Sequence, residues 1–192
     1  MRRGFKAEAE RLASDLRERL GVAPDAAIPL ASIADDLDVR IVAADELVDR
    51  ARLEDLEVLQ ADAFSAGTFK LPNGKRVIVY NPLHPAGRTA SNQAHELAHI
   101  LLDHNVRTIE RVGSFKFVTC DLEQEEEANW LGGCLLLPRP LLLKAAHDGL
   151  GPAAIAEQYG TSEEMARFRL NASGVLVQIG RAKAKSARSV RN

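Results

Sequence analysis

The sequence predicts an α+β fold, and three observations carry that reading. Strand-like segments are confined to the region before residue 120, while amphipathic helical periodicity dominates both ends. The helix with the clearest periodicity, at about 89–104, directly follows a pair of strand signals. A small twisted sheet resting on that helix, with a helical subregion at the C-terminus, is the arrangement that covers both apolar faces.

The elements follow in order. Residues 5–20 place Phe5, Ala9, Leu12, Leu16 and Leu20 on one helical face, and Gly21 stops the helix. Pro29 opens a short helix through Leu37, and Val39–Val42 reads as a strand. Residues 44–62 are charged and fit a helix or an irregular excursion equally well. Ala63–Phe69 and Arg76–Tyr80 flank Pro72-Asn73-Gly74, a hairpin signal. From Thr89 to His104, Ala94, Leu97, Ala98, Leu101 and Leu102 recur at the spacing of a core-facing helix stripe. Ser114–Thr119 alternates like a short strand. A long helix is expected from Leu122 to Leu137, stopped by Pro138 and Pro140. Two short helices near 152–159 and 162–172 are separated by Gly160-Thr161-Ser162, and a frayed basic tail begins at Arg181.

Composition excludes several function classes. The 25 Lys and Arg against 27 Asp and Glu leave a net charge of −2, which does not suit a general nucleic-acid coat. The five basic residues after position 180 are the one basic concentration. No apolar run approaches the ~20 residues of a membrane span. Met1-Arg2-Arg3-Gly4-Phe5 puts charge where an export signal needs an apolar stretch. A cytoplasmic chain without membrane contact is therefore expected. Cys120 and Cys134 lack a C-x-x-C spacing and are expected to be reduced.

The chemistry concentrates in His95-Glu96-Leu97-Ala98-His99, inside the best-defined helix. Side chains four apart on a helix are neighbours, so both imidazoles can reach one Zn²⁺. Glu96 lies beside them and can act as a general base without being a ligand. A third ligand is still required. The three-histidine extension needs glycine at 102 and histidine at 105, whereas this chain has Leu102 and Asn105, and His104 is out of helical phase. The acidic run 121–127 offers Glu123, Glu125, Glu126 and Glu127 instead. Glu125, Ala128, Asn129 and Gly132 form a stripe of small or polar residues that would let this helix approach the histidine helix closely. Phase therefore selects Glu125 as ligand and Asn129 as a partner for a histidine's second nitrogen, with Glu126 and Glu127 facing away into solvent.

His95-Glu-Leu-Ala-His99, Glu125-x-x-Ala128-Asn129 and Leu135-Leu-Leu-Pro138 together resemble the ImmA/IrrE family of zinc metallo-endopeptidases. Ala63-Phe-Ser-Ala66, Val77-Ile-Val-Tyr-Asn-Pro82 and the pattern from Ala156 to Asn171 extend the resemblance over most of residues 5–180. Departures are mild: Leu131-Gly132 stands where Phe-Ala is usual, and Ala172-Ser173 replaces Val-Thr. The resemblance implies a zincin-like metallopeptidase domain over 1–150, a helix-turn-helix-like subregion over 151–180 and a basic tail over 181–192. It further implies cleavage of a transcriptional repressor, with release of stress-response or mobile-element genes.

Other features carry weaker expectations. Residues 63–69 could be an open sheet edge that pairs with an extended peptide, or an interior strand, and Ser65 and Tyr80 are candidate substrate contacts. Tyr80 and Tyr159 are candidate oxyanion donors, with core packing the stronger reading for each. DNA binding through 153–192 is disfavoured by Glu163 and Glu164 on the face that would meet phosphates. His84 is expected in a surface loop, His147 at a helix C-terminus and Cys134 in the core.

Overall fold

The structure, a computed structural model, describes residues 1–61, 63–104, 108–112, 115–119 and 121–189. Its helices are α1 (Phe5–Arg19), α2 (Leu30–Asp36), α3 (Arg50–Leu59), α4 (Ala86–Leu101), α5 (Leu122–Leu136), α6 (Arg139–His147), α7 (Pro152–Tyr159), α8 (Glu163–Ala172) and α9 (Val175–Ser189). The strands are β1 (Val39–Ala43), β2 (Ala66–Lys70), β3 (Arg76–Tyr80), β4 (Thr108–Val112) and β5 (Phe115–Thr119). The mixed α+β class is as the sequence predicts.

The three-stranded sheet has the order β1-β3-β2, with β1 parallel to β3 and β2 antiparallel to it. Thus β2 is an edge strand, and the choice left open for residues 63–69 resolves to the edge. Alternation along β3 sends Ile78 into the main core, while Val79 packs with Leu53 of α3 on the other face. The ambiguous segment is a 3-10 turn at Ala44–Glu46 followed by α3, whose start is fixed by the Asp49 side chain accepting from Ala51 N.

Helices α4 and α5 lie between two apolar clusters. One gathers α1, α2, β1 and β3; the other gathers α6 to α9. Their close approach depends on Gly132, where a Cβ would lie 3.1 Å from backbone atoms of Ala94 and His95. Two buried arginines close the C-terminal end of α5. Arg17 donates to Leu135 O at 2.6 Å, and Arg169 donates to Leu137 O at 3.1 Å. Carbonyls at a helix C-terminus have no intrahelical donor, and cations there also complement the helix dipole.

Several local expectations are corrected. In α1 the buried face is Phe5, Ala9, Ala13 and Leu16, while Leu12 is exposed, because the buried stripe is centred near Ala9 and Leu12 falls at its margin. Pro140 does not merely stop α5; Pro138 and Pro140 open α6, whose first turn needs no N–H from proline. The predicted frayed tail is largely α9, which runs through the 180/181 boundary to Ser189. It is anchored where Val175 is fully buried and Arg139 donates to Gln178. Strand β4 was not anticipated. Cys120 lies outside the described residues.

The turn between α7 and α8 is locked onto the first turns of α4. The Ser91 hydroxyl lies 3.1 Å from that of Thr161 and 3.0 Å from that of Ser162. A Cβ on Gly87 would lie 2.3 Å from the Thr161 carbonyl oxygen. Gly87→Ala must therefore push two backbones apart, and a loss of about 1–3 kcal/mol is expected. Thermal unfolding measures it; an unchanged midpoint would show that this junction is loose.

Cys134 is fully buried, as expected for a small core residue, and burial pushes its thiol up to about 12. At about pH 8 its reactive thiolate is scarce. Iodoacetamide should leave the Cys134 peptide unlabelled in the native protein and label it in denaturant, as read by mass spectrometry. Rapid native labelling would show that the core opens.

Candidate metal centre and cleft

The site is assembled from α4, α5 and the edge strand. Helical spacing places His95 and His99 one above the other on α4, with their Nε2 atoms 3.0 Å apart. Across the narrow α4–α5 gap, Glu125 Oε2 lies 3.1 Å from His95 Nε2, and Oε1 lies 3.7 Å from His99 Nε2. One ligand atom from each of the three lies within 4.8 Å of the others, the only such His/Cys/Asp/Glu cluster among the described residues. When their Nε2 atoms carry protons, hydrogen bonding from His95, then from His99, holds the Glu125 carboxyl far below its ordinary range.

The donor set fits a tetrahedral divalent ion. Bonds of about 2.0–2.1 Å at a tetrahedral centre put neighbouring ligand atoms about 3.3 Å apart. The three distances observed bracket that value. The second ring nitrogens are also occupied: Asn129 Oδ1 lies 3.0 Å from His95 Nδ1, and His104 Nδ1 lies 2.9 Å from His99 Nδ1. If each Nδ1 carries the proton, the Nε2 lone pairs and a carboxylate converge with no hydrogen between them. Such a group of acceptors calls for a cation.

Glu96 projects from the same helix but is not part of the cluster. It is only 5% exposed, and the Thr68 hydroxyl of β2 donates to its Oε2 at 2.7 Å. The site opens into a cleft of about 740 Å³ whose lining includes Ser65, Asn92, Glu96, Asn129, Met165 and Phe168. One wall belongs to β2 and the segment before it, and the other to α8. Phe168 stands edge-on to Trp130 with ring centroids 5.5 Å apart, giving the α8 wall an apolar character. The helix that would read DNA in a helix-turn-helix thus turns Glu164, Met165 and Phe168 toward this cleft.

The structure therefore brings His95, Glu96, Glu125, Asn129 and Ser65 to one cleft, with His99 beside His95 and Glu125 in the cluster. Tyr80 sits opposite Ala66 on β3, one strand inside the edge, and is outside the cleft lining. Tyr159 packs with the second apolar cluster. Glu126 is exposed as expected, but Glu127 is not. Glu127 is buried beneath α5, bonded to Arg2 Nε at 2.9 Å and facing His104 Nε2 at 3.6 Å. Phase argued it away from the metal correctly but not into solvent, because the N-terminal residues cover that side of α5. The His84 side chain is likewise packed rather than superficial, lying 3.3 Å from Glu57 Oε1. His147 stands at the end of α6, as anticipated, and is exposed.

Sequence reasoning missed Thr68, Asn92, His104 and Glu127. Asn92 was within reach of it, since it precedes Glu96 by one helical turn. Burial and then the neighbouring His99 push the His104 imidazole below its ordinary value.

A solved structure described as a Mycobacterium tuberculosis transcriptional regulator shares the fold, with a TM-score of 0.52 and 16% sequence identity over 83% of this chain. The present chain spans 45% of the length of that protein. Among curated proteins no relative matches. The family described as Peptidase_M78, IrrE N-terminal-like domain, matches residues 34–171, a stretch that includes both histidines, Glu96 and all of α5. On that match, which covers well over half of the sequence, this chain belongs to the IrrE N-terminal-like family of metallopeptidases.

Proposed function

We propose that the chain is a zinc endopeptidase of the cytoplasm that cuts a specific partner, a helix-turn-helix transcriptional repressor, at an extended segment. The observation that carries the reading is the convergence of His95, His99 and Glu125 beside a buried glutamate that is not a ligand, at the floor of an open cleft. His95, His99 and Glu125 would hold the ion, which supplies polarisation of the scissile carbonyl and acidification of water. Glu96 takes a proton from the attacking water and passes it to the leaving amine. Thr68 orients that carboxylate by occupying one of its oxygens. The edge of β2 offers backbone groups to an extended substrate, and Ser65 lies along its path. Asn92, one turn before Glu96, can hydrogen-bond a substrate carbonyl. The apolar α8 wall suits a large hydrophobic side chain next to the cut.

A repressor as substrate is supported by the family and by a cleft of about 740 Å³ that runs beside the edge of β2. The test incubates the purified chain and Zn²⁺ with the helix-turn-helix protein encoded beside it and, separately, with casein. Cleavage of the neighbour at one or a few sites, stopped by a chelator and restored by zinc, is the expected result. Rapid digestion of casein with the neighbour left whole would overturn the dedicated role.

A further inference from the structure

His104 was set aside by helical phase, yet its ring lies against His99. The backbone explains how. Helix α4 ends at Leu101, and Asp103 takes a left-handed conformation at φ 48°. The His104 N–H then donates to His99 O at 3.0 Å and the Asp103 N–H to Ile100 O at 3.1 Å, the paired bonds of a Schellman turn. The chain doubles back by one residue, so residue 104 returns beneath residue 99 instead of continuing around the helix. Asp103 is held in the turn by an ion pair with Arg76 at 2.6 Å.

We propose that His104, backed by Glu127 and Arg2, is a positioning residue for His99: it accepts the Nδ1–H of His99 and thereby presents that ring's Nε2 to the metal. The inference rests on the metal-centre reading above. Only one of two facing imidazole nitrogens can carry the bridging hydrogen at 2.9 Å. Metal binding through Nε2 requires the proton of neutral His99 to be on Nδ1, so His104 Nδ1 is the acceptor and its own proton sits on Nε2. That N–H points toward Glu127 Oε2, at ion-pair rather than hydrogen-bond distance. Glu127 Oε1 is fixed in turn by Arg2, through Nε at 2.9 Å and the backbone N–H at 3.0 Å. A metal-bound histidine commonly donates its free N–H to a fixed acceptor, which orients the ring and strengthens the ligand. Asn129 meets that need for His95, and His104 meets it for His99.

The test uses the full chain, with zinc affinity measured by competition against a chromophoric chelator and folding followed by circular dichroism. His104→Phe keeps a ring in the space but removes the acceptor; Glu127→Gln and Arg2→Ala leave His104 in place. His104→Phe is expected to weaken zinc binding by about 10- to 100-fold, with smaller losses in the other two variants. In protein labelled with nitrogen-15 histidine, a through-hydrogen-bond coupling should link His99 Nδ1 to His104 Nδ1. Unaltered zinc affinity in folded His104→Phe overturns the proposal, as does absence of the coupling in the unaltered protein. Should His104→Phe not fold, the coupling and Glu127→Gln decide. Failure of the unaltered chain to bind zinc would instead defeat the peptidase reading, and the coupling would still report whether His104 positions His99.

Discussion

The Glu96→Gln protein is expected to bind metal as the unaltered chain does and to lose turnover by about 10²- to 10⁴-fold, the usual contribution of a positioned general base. Metal binding and proton transfer separate cleanly because Glu96 lies outside the three-atom cluster of His95, His99 and Glu125. Glutamine has nearly the same volume, and its amide oxygen can still accept the Thr68 hydroxyl that now reaches Oε2 at 2.7 Å. What it lacks is the charge that draws a proton from water. Metal content per chain and cleavage rate of the partner protein are the two measurements. Loss of the metal together with activity would make Glu96 a ligand and overturn the assignment. Glu125→Gln provides the contrast, since it should lose metal and activity together.

Arg169→Met is expected to cost about 3 kcal/mol, because a buried carbonyl left without its donor costs about 1–3 kcal/mol and charge-assisted bonds add to that. Arg169 is fully buried, donating to Leu137 O at 3.1 Å and to Glu10 Oε1 at 2.7 Å, with its guanidinium 5.7 Å from the Trp130 ring centroid. It ties α8 to the end of α5 and to α1. Methionine would retain most of the packing along Gly133, where a Cβ would meet the Arg169 side chain at 2.6 Å. Glu10 is partly exposed and can return to water, so the main loss falls on the Leu137 carbonyl. For a chain of this length each kcal/mol moves the midpoint by roughly 2–4 °C, so a fall of about 6–12 °C should be seen by calorimetry. Glu10→Gln should fall by much less. Equal effects would mean that the ion pair, and not the helix end, carries the stability.

Local periodicity made the helices and the metal cluster legible. His95 and His99 are four apart, and the stripe from Glu125 to Gly132 predicts both the approach of α5 and the carboxylate it brings to the histidines, because helical phase is a property of sequence spacing alone. Residues whose position depends on leaving a helix were read wrongly. His104 was projected along a helix that had already ended. Pro140 was read as a stop because proline breaks a helix interior, whereas the chain uses it in the first turn of the next one. Helical phase turns Glu127 away from the metal and so toward solvent; Arg2, 125 residues away, covers it.

By itself, then, the sequence determined the α+β class, the histidine helix, the glutamate across from it and the family to which the chain belongs. Each of these rests on short-range spacing, or on a motif dense enough to survive without knowledge of packing. Only the tertiary structure decided that β2 is an edge strand, that Thr68 holds Glu96, that α8 walls the cleft, and that His104 and Glu127 stand behind His99. These contacts join residues far apart in the chain. Their energy comes from burial and from pairing of polar groups shut away from water, and neither exists until the elements have come together.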